Sequence, residues 1–142
     1  MILVYSYFVL DIVHRGHLMM LKNSKAIAGP NGRLIVGIVS DEAVISKKGK
    51  APTLDFTERL ELARSIKYVD LVVCQKDYTP YENIKHLTPD ILMESESHSE
   101  AQIDKGRQIM SDLGGKVIVM PYFDDQSSTL IKSKISQGKI GQ

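Results

Sequence analysis

The sequence predicts a single doubly wound α/β domain: a five-stranded parallel sheet of order 3-2-1-4-5 with helices on both faces. Two observations carry this. Short apolar runs such as Leu34-Ile35-Val36-Gly37-Ile38-Val39 lack the in-out alternation of a half-exposed strand, so they read as strands buried on both faces. Between successive runs lie segments of helical period, which is the spacing of strand-helix-strand units with right-handed crossovers.

The first strand is Ile2 to Tyr7, β-rich and apolar. A helix follows from His17 to Ala28, with Met20, Leu21, Ser24, Ile27 and Ala28 on one side, and Gly29-Pro30-Asn31-Gly32 stops it. Leu34 to Val39 is the second strand. Asp55 is placed as an N-cap with Glu58 three residues on, and Phe56, Leu60, Ala63 and Ile66 give the next helix its apolar stripe. Val69 to Cys74, Asp90 to Met93 and Lys116 to Met120 supply the remaining strands, with helices near Tyr81 to Leu87 and Ser99 to Leu113 between them. Gly114-Gly115 closes the second of these helices. A last helix begins at Ser127 or Ser128 and runs through Leu130, Ile131 and Ile135. The domain is expected over residues 1–137, with 138–142 as a flexible tail.

Composition narrows the function. A formal net charge of +1 gives no global attraction for nucleic acid or an anionic membrane, so any anion site must be local. The one cysteine, Cys74, has no disulfide partner within the chain and reads as a small buried group at a strand end. Reducing cytoplasm is the expected compartment. The apolar start meets polar residues too early to span a bilayer and lacks a basic leader. His86 and His98 show no metal-ligand spacing and read as surface or supporting residues.

The sharpest chemical feature is His14-Arg15-Gly16-His17, falling just after the first strand and opening the first helix. Two imidazoles three residues apart project to one side of a starting turn. Gly16 keeps the backbone accessible, and the helix N-terminus adds unpaired amides and a positive dipole end. Together these make a local anion site. Neither G-x-x-x-x-G-K-[ST] nor G-x-G-x-x-G occurs, so the common phosphate and dinucleotide fingerprints do not compete.

Asp11-Ile12-Val13-His14-Arg15-Gly16-His17 resembles the D-x-x-H-x-G-H motif of the H-x-G-H nucleotidyltransferases, Rossmann-like enzymes, and within them the cytidylyltransferases. Further segments follow in the family's order. Ser40-Asp41-Glu42 with Lys47-Lys48-Gly49-Lys50 is similar to an S-D-E loop bearing a phosphate lysine. Glu58-Arg59 and Ile66-Lys67-Tyr68-Val69-Asp70 resemble the E-x-R helix and R-Y-V-D strand entry, and Ser127-Ser128-Thr129-Leu130-Ile131-Lys132 resembles I-S-T-T-x-I.

The resemblance implies transfer of CMP from CTP to a small phospho-alcohol or phosphonate: glycerol 3-phosphate, phosphocholine, phosphoethanolamine or 2-aminoethylphosphonate. Pyrophosphate is released. An adenylyltransferase of the same fold and a non-catalytic nucleotide-binding module are the alternatives. His14, His17 and Lys47 are the implied catalytic residues, with Lys48 and Lys50 able to replace Lys47 in register. Val9, Leu10, Asp11, Gly16, Arg59, Gln126, Ser127, Ser128 and Thr129 are the implied nucleotide and phosphate contacts. Mg²⁺ is the implied cofactor, with Asp11 to hold or orient it, and a homodimer the implied assembly. Asp11 could equally fix its loop by accepting backbone hydrogen bonds, and Arg59 could pair with acidic neighbours on its helix. The chain departs from the family at Phe8, where glycine is usual, at Tyr122 in a segment that normally carries arginine, and at Glu94-Ser95-Glu96-Ser97-His98, where a base-contacting stretch reads otherwise.

Overall fold

A computed structural model describes residues 1–121 and 128–137. The expected tail, 138–142, and the positions Tyr122, Gln126 and Ser127 lie outside the described residues.

The strands are β1 (Leu3–Phe8), β2 (Arg33–Val39), β3 (Leu71–Gln75), β4 (Ile91–Ser95) and β5 (Lys116–Met120). They form one sheet of order β3-β2-β1-β4-β5, and every pairing is parallel. This is the expected doubly wound arrangement. The helices are α1 (Arg15–Ala28), α2 (Asp41–Lys48), α3 (Phe56–Ser65), α4 (Tyr81–Leu87), α5 (Glu100–Asp112) and α6 (Ser128–Ser136).

Alternation along β1 splits the core. Val4 faces a cluster with Leu21, Leu34, Val36, Ile38 and Ala63, covered by α1 and α3. Tyr5 and Tyr7 face the opposite cluster with Ile84, Leu92 and Met110, under α4 and α5. Both faces of the central strands are therefore dry, which explains their unbroken apolar runs. Gly37 is needed in β2 because a Cβ there would meet the Tyr5 hydroxyl oxygen at 1.9 Å. That hydroxyl donates to Gln75 Oε1 (2.6 Å) and accepts from Asn83 (2.9 Å), so a polar chain tucked into the core ties β1 to β3 and α4.

Two elements differ from expectation. Residues 41–48, read as a lysine-bearing loop, form α2, capped by Ser40 accepting from the Ala43 amide and closed by Gly49 at φ 80°. Val44 is its one buried residue, too little of an apolar stripe to reveal a helix. Cys74 is exposed, not buried, although it shares a face with buried Val72: it lies near the carboxyl end of β3, an edge strand. Among the described residues no helix is long and apolar enough to cross a membrane.

The strand order reverses at β1, since β2 lies on one side of it and β4 on the other. In such sheets the crevice beyond the carboxyl ends of the strands, at the reversal, is where ligands bind. The loop from Val9 to His14 leaves β1 at that point.

Candidate active site

A cavity of about 600 Å³ opens there, lined by the β1 exit, the start of α1, the end of α2, the β4 exit and α6. Its wall includes Val9, Leu10, Asp11, His14, Gly16 and His17. Leu10 is buried and sits at φ 59°, a left-handed backbone that costs a residue with a Cβ roughly 1–2 kcal/mol. The strain falls in the turn that aims the following residues into the crevice.

His14 is the N-cap of α1. Its Nδ1 accepts from the Gly16 amide (3.0 Å), while the His14 amide donates to His17 Nδ1 (3.3 Å). The pair thus caps reciprocally, with histidines in the places of the usual serine and glutamate. Because each Nδ1 accepts a backbone proton, the neutral rings must carry their own proton on Nε2. The rings stack with centroids 3.9 Å apart, and Phe8 packs edge-on against His17 at 5.7 Å. The phenylalanine that replaces the family's glycine therefore supports the second imidazole.

Burial, followed by the neighbouring His14, pushes the His17 pKa down to about 3, and burial also lowers His14 from 6.5. At pH 7 both rings are neutral, each with an Nε2–H donor on the cavity wall. Folding energetics follow. An unfolded chain takes up protons on these histidines as pH falls through 6.5, while folded His17 does not until about 3, so the unfolded state is favoured progressively through that window. Asp11 and Asp70, whose carboxyls are held low, lose their contribution only below the ordinary value of 3.8. Urea unfolding midpoints should therefore fall between pH 7 and 4.5 for the wild type and fall less for His17→Gln; equal slopes would contradict the assigned burial.

Asp11 is buried. Its carboxylate accepts from the Thr53 amide (2.9 Å), the Leu54 amide (2.8 Å) and Lys132 Nζ. Burial would raise its pKa, but Lys132 and the two amides outweigh burial and hold it below the usual value. Both oxygens are already engaged, and no group of three or more metal-binding side chains occurs among the described residues. These residues do not fit a protein-held Mg²⁺. Asp11 instead fixes the segment that follows α2 beneath α6.

Arg59 departs from its expected phosphate role. It is fully buried, and its guanidinium donates to Leu54 O (3.0 Å), Val9 O (2.7 Å), Val39 O (2.8 Å) and Asp41 Oδ1 (2.7 Å). It thereby joins the carbonyl ends of β1 and β2 to the start of α2, behind the cavity wall. Lys47 is not on the wall either, and its Nζ lies 5.9 Å from the Tyr78 ring centroid. Lys48 and Lys50 line the cavity in its place, as does Lys132. On a helix, neighbours one residue apart point in different directions, so the α2 fold decides which lysine turns inward. Ser128 and Thr129 start α6, whose backbone alone is described there.

Sequence reasoning missed Lys132 as a cavity residue, although it lay in a quoted motif. The reading of His98 as a surface or supporting residue does not anticipate that it lines the cavity with Ser95 and Ser97, nor that buried Glu94 bonds to both Tyr7 and His98. Apolar spacing carries no signal for such contacts between distant segments.

Comparison with known proteins agrees with this fold. A family model described as cytidylyltransferase-like matches residues 9–134. The bifunctional protein HldE of Hydrogenovibrio crunogenus is 32% identical over 138 residues, which is 96% of this chain and 28% of that protein. The chain thus spans little more than a quarter of the HldE proteins it matches. A FAD synthase of Korarchaeum cryptofilum is 30% identical over 88% of this chain and 85% of its own. Among solved structures, the lipopolysaccharide core biosynthesis protein of Thermoplasma volcanium superposes with a TM-score of 0.67 at 27% identity, over 86% of this chain and 96% of that one. With a paired-imidazole helix start at the sheet's reversal point and a family match across most of its length, the chain belongs to the cytidylyltransferase-like family of the nucleotidyltransferase superfamily.

Proposed function

We propose that this protein transfers a nucleoside monophosphate from ATP or CTP to an anionic oxygen of a small phosphorylated or phosphonylated acceptor. The observation that carries the reading is that His14, His17, Lys48, Lys50 and Lys132 line one cavity at the N-terminus of α1. In the step, a bond forms between the acceptor oxygen and the α-phosphorus, and the bond from that phosphorus to pyrophosphate breaks. The nucleophile is already an anion, so no general base is needed. Catalysis then consists of alignment and of donors aimed at charge growing on the leaving group. The Nε2–H groups of His14 and His17 supply two neutral donors, and the lysines supply charge. Mg²⁺ enters this proposal as the companion of the nucleotide, with no protein ligand assigned.

Two donors have support. The family's description and a histidine at position 14 favour CTP. The relative named FAD synthase matches over most of its length, and FAD contains an adenylyl unit, which favours ATP. The test is pyrophosphate release by pure protein given Mg²⁺, ATP or CTP, and a panel of small phosphorylated and phosphonylated acceptors. Release with one donor and one acceptor is expected. Nucleotide binding without release from any pair would leave a non-catalytic binding module in its place. We further propose that the protein pairs as a homodimer; a light-scattering mass near that of one chain would refute it.

A further inference from the structure

The loop that leaves β3 is pinned from two sides. The Ser40 amide donates to Gln75 O (2.9 Å) and the Ser40 hydroxyl to Lys76 O (2.8 Å). Gln75 Nε2 donates to Asp77 O (3.1 Å) and Tyr78 O (3.3 Å), while Gln75 Oε1 accepts from Tyr5 in the core. Gln75 is buried, so the polar chain that starts at Tyr5 ends by fixing the backbone of Tyr78. Tyr78 itself is half-buried on the cavity wall. Its hydroxyl makes no hydrogen bond to any described residue. Burial pushes the phenol up against the opposing pull of Lys47, so at neutral pH the hydroxyl keeps its proton and can donate.

Charge divides the cavity. Lys132 is paired with Asp11, so the wall's cations without an acidic partner among the described residues are Lys48 and Lys50, at and just past the end of α2. Tyr78 stands beside that end of α2, as its contact with Lys47 shows. Val39, Val44, Ala51 and Pro52 complete this side and are apolar, which leaves the two lysines and Tyr78 as its polar side chains. Strand order puts β3 and β4 on opposite sides of β1, and the β4 exit contributes no lysine or arginine among the described residues. The proposed reaction brings two anions together, a triphosphate at the imidazoles and a phosphorylated acceptor. The acceptor's anion belongs on the α2 side, where Tyr78 offers a hydroxyl.

Building on the nucleotidyl-transfer reading, we propose that Tyr78 is an acceptor-binding residue whose hydroxyl donates to a non-attacking oxygen of the acceptor's phosphate or phosphonate. Such a group turns about the bond to its carrier, yet one of its oxygens alone attacks. A donor fixed on a second oxygen, with lysine charge beside it, keeps the attacking oxygen aimed at the α-phosphorus. A phenol does this as a neutral donor, so the nucleophile keeps its charge. Gln75 is then a positioning residue that acts through the Tyr78 backbone.

Steady-state pyrophosphate release tests this on the wild type and Tyr78→Phe, given Mg²⁺, ATP or CTP, and glycerol 3-phosphate, phosphocholine, phosphoethanolamine or 2-aminoethylphosphonate. With the pair that the wild type uses, Tyr78→Phe should lower kcat/KM for the acceptor by about tenfold or more, the cost of one hydrogen bond to a charged group, and leave KM for the nucleotide unchanged. The variant keeps the ring and strands no partner, so its thermal midpoint should match the wild type. An unchanged kcat/KM for the acceptor, or an equal rise in KM for acceptor and nucleotide, overturns the proposal and leaves nucleotidyl transfer standing. No pyrophosphate release by the wild type with any pair overturns the nucleotidyl-transfer reading itself, and this proposal with it.

Discussion

His14→Ser and His17→Glu should each lower the turnover number by about 10²–10³-fold, the usual cost of removing one donor from an anion-stabilising site. These substitutions separate chemistry from folding. Serine at the N-cap and glutamate at the third helical position are the ordinary capping-box pair, so both reciprocal bonds to the backbone are kept. The ring Nε2–H is lost in each, because the serine hydroxyl is far shorter than an imidazole and an ionised carboxylate only accepts. Thermal midpoints should stay within about 2 °C of wild type, since one matched cap replaces another. Alanine would confound the experiment, because it removes cap and donor together. Full activity in either variant would mean that the imidazoles serve the helix alone.

Arg59→Met should produce the largest loss of stability. Substitution strands Asp41 and the carbonyls of Val9, Val39 and Leu54, which now share one fully buried guanidinium. Asp41 keeps partial contact with water, but three carbonyls lose their donor at about 1–3 kcal/mol each, so the loss should be about 3 kcal/mol or more. At about 2–4 °C per kcal/mol for a chain of this size, the midpoint should drop by roughly 10 °C or more. Arg59→Lys should rescue little, because a single ammonium cannot span acceptors on three separate segments. Calorimetric melts read this directly. A variant that melts like the wild type but binds nucleotide poorly would return Arg59 to the phosphate role that its motif suggested.

The contrast between these residues shows what was legible in the sequence. Strands and their order follow from apolar runs and crossover rules, because burial on both faces leaves a one-dimensional trace. The His14 to His17 turn was legible for a local reason: strand, turn and helix start are contiguous, so spacing fixes geometry. Arg59 was not, since its partners lie on β1, β2 and α2, and only the fold brings their carbonyl ends together. The α2 helix did leave a trace, with Ser40 to cap it, Asp41 and Glu42 in its first turn and Gly49 to close it. A run of lysines masked that trace, and with it which of the three faces inward. The pairing of Glu94 with Tyr7 and His98 was invisible for a further reason: a buried carboxylate bonded to a tyrosine from another strand has no periodic signature.

A co-crystal structure with a non-hydrolysable ATP or CTP analogue tests the convergence of these parts most directly. The phosphates should lie within hydrogen-bond distance of Nε2 of both His14 and His17, with Lys48, Lys50 or Lys132 alongside. Phosphates bound elsewhere, with both imidazoles facing only their own helix, would contradict the assignment of this crevice as the site of nucleotidyl transfer.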